Sequence, residues 1–162
     1  MNALDLLRND HRRIIALLDQ LDDLPASTDE ESRNKSIRHL AEAIRTHQKM
    51  LRTIFNPELE KSDEVRTVLE SQRQTNARIE EVLFTLEENK LSPEERTGCL
   101  HVLKQDWLTH VDQTESLIFP AAEKLLGAGR LLELFYEMDE VRTQQSGLDS
   151  AIYPASRLGP KR

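Results

Sequence analysis

Apolar residues recur at alternating spacings of three and four in four long stretches of this chain. The fourth stretch, for example, includes Leu103, Trp107, Thr114 and Leu117. This spacing places the members of a stretch on one face of an α-helix, because a helix turns once in about 3.6 residues. Four long amphipathic helices bury their apolar faces against one another, so the pattern predicts a helical bundle.

Short polar breaks separate the four predicted helices. Pro25 interrupts the pattern after the first helix, while Ser62 and Ser92 are typical N-cap residues at the start of the third and fourth helices. Helices joined by short loops run antiparallel to their neighbours. We therefore predict an all-α fold in which the four helices form an antiparallel up-down-up-down bundle.

The sequence changes character after the fourth helix. Gly127 and Gly129 are expected to end that helix, and a shorter amphipathic pattern follows over residues 131–141. This pattern predicts a short additional C-terminal helix that covers either the bundle or a partner. We predict that the bundle domain spans residues 1–145 and that residues 146–162 form a flexible tail.

Composition argues against several functional classes. The formal net charge of −7 leaves no basic stripe for a phosphate backbone, so nucleic acid is not an expected partner. Cys99 is the only cysteine, which rules out an intrachain disulfide or a thiolate metal cage. No export signal or apolar run of roughly 18 residues is visible, so we expect a cytoplasmic protein without membrane contact.

Three of the five histidines lie on the apolar stripes: His11, His47 and His110. His39 and His101 lie off the stripes and are expected to be exposed. The predicted bundle therefore directs three imidazoles from three helices into one interior pocket. A lone inward histidine is usually a hydrogen-bonded core residue, but three together favour a metal site.

The surroundings of these histidines resemble those of the hemerythrin-like, or HHE cation-binding, domain family. His11 lies within NDHRRI, and His47 and His110 are each followed ten residues later by a proline, in IFNP and LIFP. The resemblance covers roughly residues 1–140. It implies a four-helix bundle that holds a non-haem di-iron centre, used for oxygen binding, oxygen or redox sensing, or iron handling.

The resemblance assigns ligand roles to four residues and exposes gaps in the set. His11, His47, His110 and Glu115 occupy positions where the family has metal ligands. Leu51 stands where the family has a bridging glutamate. On the third helix, the places of the family's histidines are taken by two amides, Gln72 and Asn76.

An incomplete ligand set favours one metal ion over two. Two histidines with one carboxylate form a set typical of a single divalent iron, zinc or manganese ion, with His110 as a possible fourth ligand. Other readings remain open: Gln72 and Asn76 form a buried polar network without an ion, or Glu115 is a solvated flanking residue. Iron is the first expectation for the metal.

Two hypotheses follow for the function. The first is a metal-binding or sensing protein that responds to a divalent cation or, through iron, to dioxygen or redox state. The second is a metal-free scaffold whose C-terminal segment around Leu134, Phe135 and Met138 binds a partner or a second copy. No nucleophile motif or paired catalytic carboxylate stands out, so we do not expect an enzyme.

Overall fold

The computed structural model describes the backbone of residues 1–152 and the side chains of residues 1–145. Helices account for its regular structure, and no strand occurs in the part of the chain that is described, which confirms the predicted all-α class. The α-helices are α1 (Ala3–Asp22), α2 (Glu30–Met50), α3 (Asp63–Glu87), α4 (Pro93–Gln113) and α5 (Phe119–Ile152). None of the helices within this range has the length and apolarity that a membrane span requires.

The helices begin where side chains satisfy the free backbone amides of the first turn. The side chain of Asn2 accepts hydrogen bonds from the amides of Leu4 and Asp5 at the start of α1. Ser92 and Glu95 form a reciprocal capping box at the start of α4. These contacts fix the ends of the helices and hence the register in which the bundle packs.

The helices α2 and α4 both continue into a π-helical segment, Leu51–Phe55 and Thr114–Ile118 respectively. A π-helical turn contains one more residue than an α-helical repeat, so it shifts which residues face the core. Leu117, which the regular spacing placed on the apolar stripe, is 52% exposed, whereas Ile118 is buried. The prediction for Leu117 was therefore wrong.

The C-terminal helix is longer than predicted. Its break lies at Gly127, where φ is 76°, a left-handed value that favours glycine, and helical structure then continues to Ile152. Leu134 and Met138 are fully buried against the bundle, mainly beside α1. The remainder of the predicted tail, residues 153–162, lies outside the described residues.

Two apolar clusters fill the bundle, and a polar layer lies between them. On α1 the first cluster extends to Leu7 and the second begins at Ile14. On α2 the second cluster extends to Ile44 and the first resumes at Met50. The layer between the clusters receives one side chain from each of α1 to α4, all at most 3% exposed: His11, His47, Gln72 and His110.

Candidate metal centre

The three inward histidines converge in this polar layer, as their spacing predicted. The ring centroid of His11 lies 5.0 Å from that of His47 and 5.4 Å from that of His110. Each imidazole offers one nitrogen such that the three nitrogens lie within 4.8 Å of one another. No side chain of the three is more than 1% exposed. The predicted exposed histidines, His39 and His101, are indeed at the surface.

Two of the imidazoles are hydrogen-bonded through Nδ1 to a carboxylate. His47 Nδ1 donates to Asp10 Oδ2 at 3.0 Å, and His11 Nδ1 donates to Glu115 Oε2 at 2.6 Å. Each contact fixes the ring orientation, and in a neutral ring that donates from Nδ1 the lone pair lies on Nε2. The Nε2 atoms of His47 and His110 lie 3.4 Å apart. Two ring nitrogens are therefore turned toward each other rather than toward separate partners.

Two buried ring nitrogens have no hydrogen-bond partner among the described residues: His11 Nε2 and His110 Nδ1. A buried polar atom without a partner lowers the stability of the folded chain. With Nδ1 donating to Glu115, His11 Nε2 carries a lone pair, which is the group that binds a metal ion. The donor set therefore fits a divalent cation.

Burial keeps these imidazoles neutral. Desolvation, followed by the nearby His47, His110 and basic side chains, holds the pKa of His11 far below its ordinary value. Desolvation and the neighbouring His47 lower the pKa of His110 to about 3. Both rings are thus unprotonated at neutral pH, the state in which imidazole binds metals.

The lowered pKa values predict that the metal-free protein loses stability in mild acid. The unfolded chain binds protons near pH 6.5, whereas folded His110 does so only near pH 3, so stability is full above pH 6.5 and falls as the pH drops toward 3. Urea unfolding should show a slope of up to about 1.4 kcal/mol per pH unit for each of His11 and His110. The window from pH 6.5 to 5 separates this effect from carboxylate titration. A constant free energy of unfolding across that window would contradict it.

Aromatic side chains form the walls of the site. Trp107 stacks on His110 with 4.8 Å between ring centroids, and Phe119 lies parallel to His11 at 6.0 Å. The indole Nε1 of Trp107 also donates to the carbonyl of His11 at 3.4 Å. Both aromatic residues are fully buried, and Trp107 lies on the apolar stripe that the spacing predicted. They restrict ring motion and keep bulk water away from the imidazoles.

The two amides of α3 lie in different surroundings. Gln72 is buried and its Nε2 donates to Thr114 Oγ1 at 2.9 Å, beside the histidine layer. Asn76 is only half-buried and accepts from Gln48 Nε2 at 3.1 Å. It lines a cleft of about 650 Å³ between α2 and α3. The sequence pattern placed both amides in the pocket, which the structure shows only for Gln72.

Leu51 begins the π-helical segment after α2 and is 3% exposed. Thr114 holds the corresponding place four residues after His110 and is 1% exposed. Both positions thus face the interior just beyond a site histidine. An apolar side chain and a hydroxyl at these positions supply no bridging charge for a second ion.

Sequence reasoning missed Asp10 and Arg142. Asp10 is 5% exposed, and its second oxygen accepts a hydrogen bond from Arg142 on α5. A signal for Asp10 was present, since it lies three residues after Leu7 and four before Ile14, at the edge of the apolar stripe. The position of Arg142 depends on how α5 folds back, which no local pattern specifies.

Comparison with known proteins supports the same assignment. The family model of the hemerythrin HHE cation-binding domain matches residues 2–122. No curated protein and no solved structure matches the chain. The match contains α1 to α4 with all three buried histidines, and it covers most of the chain. The chain therefore belongs to the hemerythrin HHE cation-binding domain family.

Proposed function

We propose that this protein binds a single divalent ion, with iron as the physiological metal, and acts as a sensor rather than as an enzyme. His11, His47 and His110 would hold the ion. The observation that carries the proposal is the convergence of three buried imidazoles, of which His11 presents an Nε2 atom with no hydrogen-bond partner in the described chain. Burial keeps His11 and His110 neutral.

Glu115 has a specific place in the proposed site. Its carboxylate accepts the proton of His11 Nδ1, which holds the ring so that Nε2 is available to the ion. The side chain is 34% exposed, so it lies at the edge of the layer. Direct binding of Glu115 to the ion would require this contact to open. In either arrangement its negative charge offsets part of the charge of the cation.

A single ion fits the donor set better than two. Two cations repel at short distance, and bridging carboxylates are needed to hold them together. Leu51 supplies no such group, and α3 contributes the neutral amide of Gln72. Asp10 is already engaged by His47 and Arg142. The layer therefore lacks the negative charge that a second divalent ion would need.

The enclosure of the site supports sensing. The imidazoles are at most 1% exposed, so only a species as small as an ion, water or dioxygen can reach them without a conformational change. Iron, when bound, supplies reversible redox chemistry. The residues around it hold the imidazoles in place and limit access of water. A cytoplasmic location fits this role, because reduced iron is available there, and it is part of the proposal.

Thermal unfolding under anaerobic conditions tests this function. Ferrous iron added to the metal-free protein should raise its melting temperature, because an ion that binds only the folded chain stabilises it. The increase should saturate at one equivalent per chain, with zinc and manganese as comparison ions. If none of the three ions changes the melting temperature, the metal-free scaffold is the better account of this chain.

A further inference from the structure

The buried carboxylate of Asp10 joins the histidine layer to the C-terminal helix. One oxygen, Oδ2, accepts from His47 Nδ1 at 3.0 Å, and the other, Oδ1, accepts from the guanidinium of Arg142. The Asp10 side chain is 7% exposed and that of Arg142 is 36% exposed. The contacts thus form a continuous chain from α5 through α1 to an imidazole of α2.

Arg142 belongs to a part of the fold that the family match does not include. The match ends at residue 122, whereas Arg142 lies on α5 after the break at Gly127. Burial of Leu134 and Met138 fixes this helix against the bundle. The position of the guanidinium is therefore set by the packing of α5.

We propose that Arg142 is a positioning residue for the metal site: by holding Oδ1 of Asp10, it keeps Oδ2 on His47 Nδ1 and so keeps Nε2 of His47 directed into the histidine layer, where it would bind the ion. This inference rests on the proposed metal-binding function. It implies that a helix outside the family-matched region completes the support of the site. Partners of this kind typically change metal affinity by about 10- to 100-fold.

The surroundings of Asp10 show why a second contact is needed. A small pocket of about 100 Å³ adjoins this carboxylate and is also lined by Arg13, His39 and Arg142. Glu42 lines the same pocket and accepts from Gln145 of α5. Without Arg142, the carboxylate can rotate into this polar space toward Arg13 and away from His47. The guanidinium opposes that rotation because it holds the oxygen that His47 does not use.

Arg130 provides a matched control on the same helix. Its guanidinium donates to both carboxylate oxygens of Glu58 at 2.9 Å, so it too ties α5 to the bundle by an ion pair. Neither Arg130 nor Glu58 contacts a histidine of the layer. Loss of either arginine removes an ion pair of α5, but only loss of Arg142 affects the orientation of Asp10.

The experiment compares the parent chain of 162 residues with R142A, R142K and R130A. In the metal-free proteins, ¹⁵N NMR of the imidazoles reports the tautomer of His47. We expect the Nδ1–H form in the parent and in R130A and a mixture of tautomers in R142A. Titration with Zn²⁺ should show about tenfold weaker binding for R142A, no more than a twofold change for R130A, and an intermediate value for R142K.

The outcomes separate this inference from the proposed function. If the parent binds Zn²⁺ and R142A matches R130A in tautomer or in affinity, the role of Arg142 is refuted while the metal site stands. If the parent binds neither Zn²⁺ nor, under anaerobic conditions, Fe²⁺ or Mn²⁺, both are refuted. Should R142A fail to fold, R142K, which retains the positive charge, decides: parent-like affinity with an altered His47 tautomer would also contradict the proposal.

Discussion

Alanine in place of His47 should weaken binding of the divalent ion by at least about a hundredfold. His47 has its Nε2 atom 3.4 Å from that of His110, and removal of this imidazole takes away one of the three nitrogens that converge on the site. Binding of an ion by four ligands releases about 10–16 kcal/mol, so one ligand accounts for roughly 3 kcal/mol, or about two orders of magnitude in affinity.

The control for this prediction is H39A. His39 lies on the same helix but is exposed, so its removal should leave the affinity unchanged. Calorimetric titration of both variants with Zn²⁺ provides the comparison. Equal affinity of the His47 variant and the parent would show that the ion binds elsewhere. Loss of affinity in H39A alone would indicate binding to surface histidines.

Glutamate in place of Leu51 should lower the stability of the metal-free protein by about 2–5 kcal/mol or more. Leu51 is 3% exposed, so the variant loses buried apolar contacts and places a carboxylate in an interior position. For a chain of this size, that loss corresponds to a fall in melting temperature of roughly 10 °C. Ferrous iron should recover more stability in this variant than in the parent, because a bound cation offsets the charge of the new carboxylate.

Two variants control for the chemistry at this position. L51M conserves the volume and should cost less than about 1.5 kcal/mol. Leu125 is 50% exposed, so L125E adds the same charge without burial and should be nearly neutral. If L51E melts like L125E, position 51 is not an interior position beside the site. If iron stabilises L51E no more than the parent, the added carboxylate does not reach the metal.

The structure changes where an imidazole would be added on α3, as a fourth in the site. The sequence comparison suggested position 76, but Asn76 points to Gln48 at the cleft between α2 and α3. The side chain at position 72 does reach the histidine layer, since Gln72 donates a hydrogen bond to Thr114 there. A histidine at position 72 is therefore the better test of whether α3 can contribute a ligand.

Periodicity sufficed to predict the helices and the inward histidines, because burial of an apolar stripe is a local property of each helix. It did not predict the π-helical segments, because one extra residue in a turn cannot be recognised from the composition of the sequence. Leu117 was misplaced for that reason, and Ile118 took the buried position. The partnership of Asp10 with Arg142 depends on the return of α5 to α1, which is a tertiary contact between residues far apart in sequence.

Elemental analysis of untagged protein, with iron, zinc and manganese each measured per chain, shows whether the three histidines hold one metal ion. We expect a total of one divalent ion per chain after loading under anaerobic conditions and removal of excess metal. The same treatment of the His47 alanine variant should leave far less. Two ions per chain would contradict the single-ion site, and none would contradict metal binding by the three histidines.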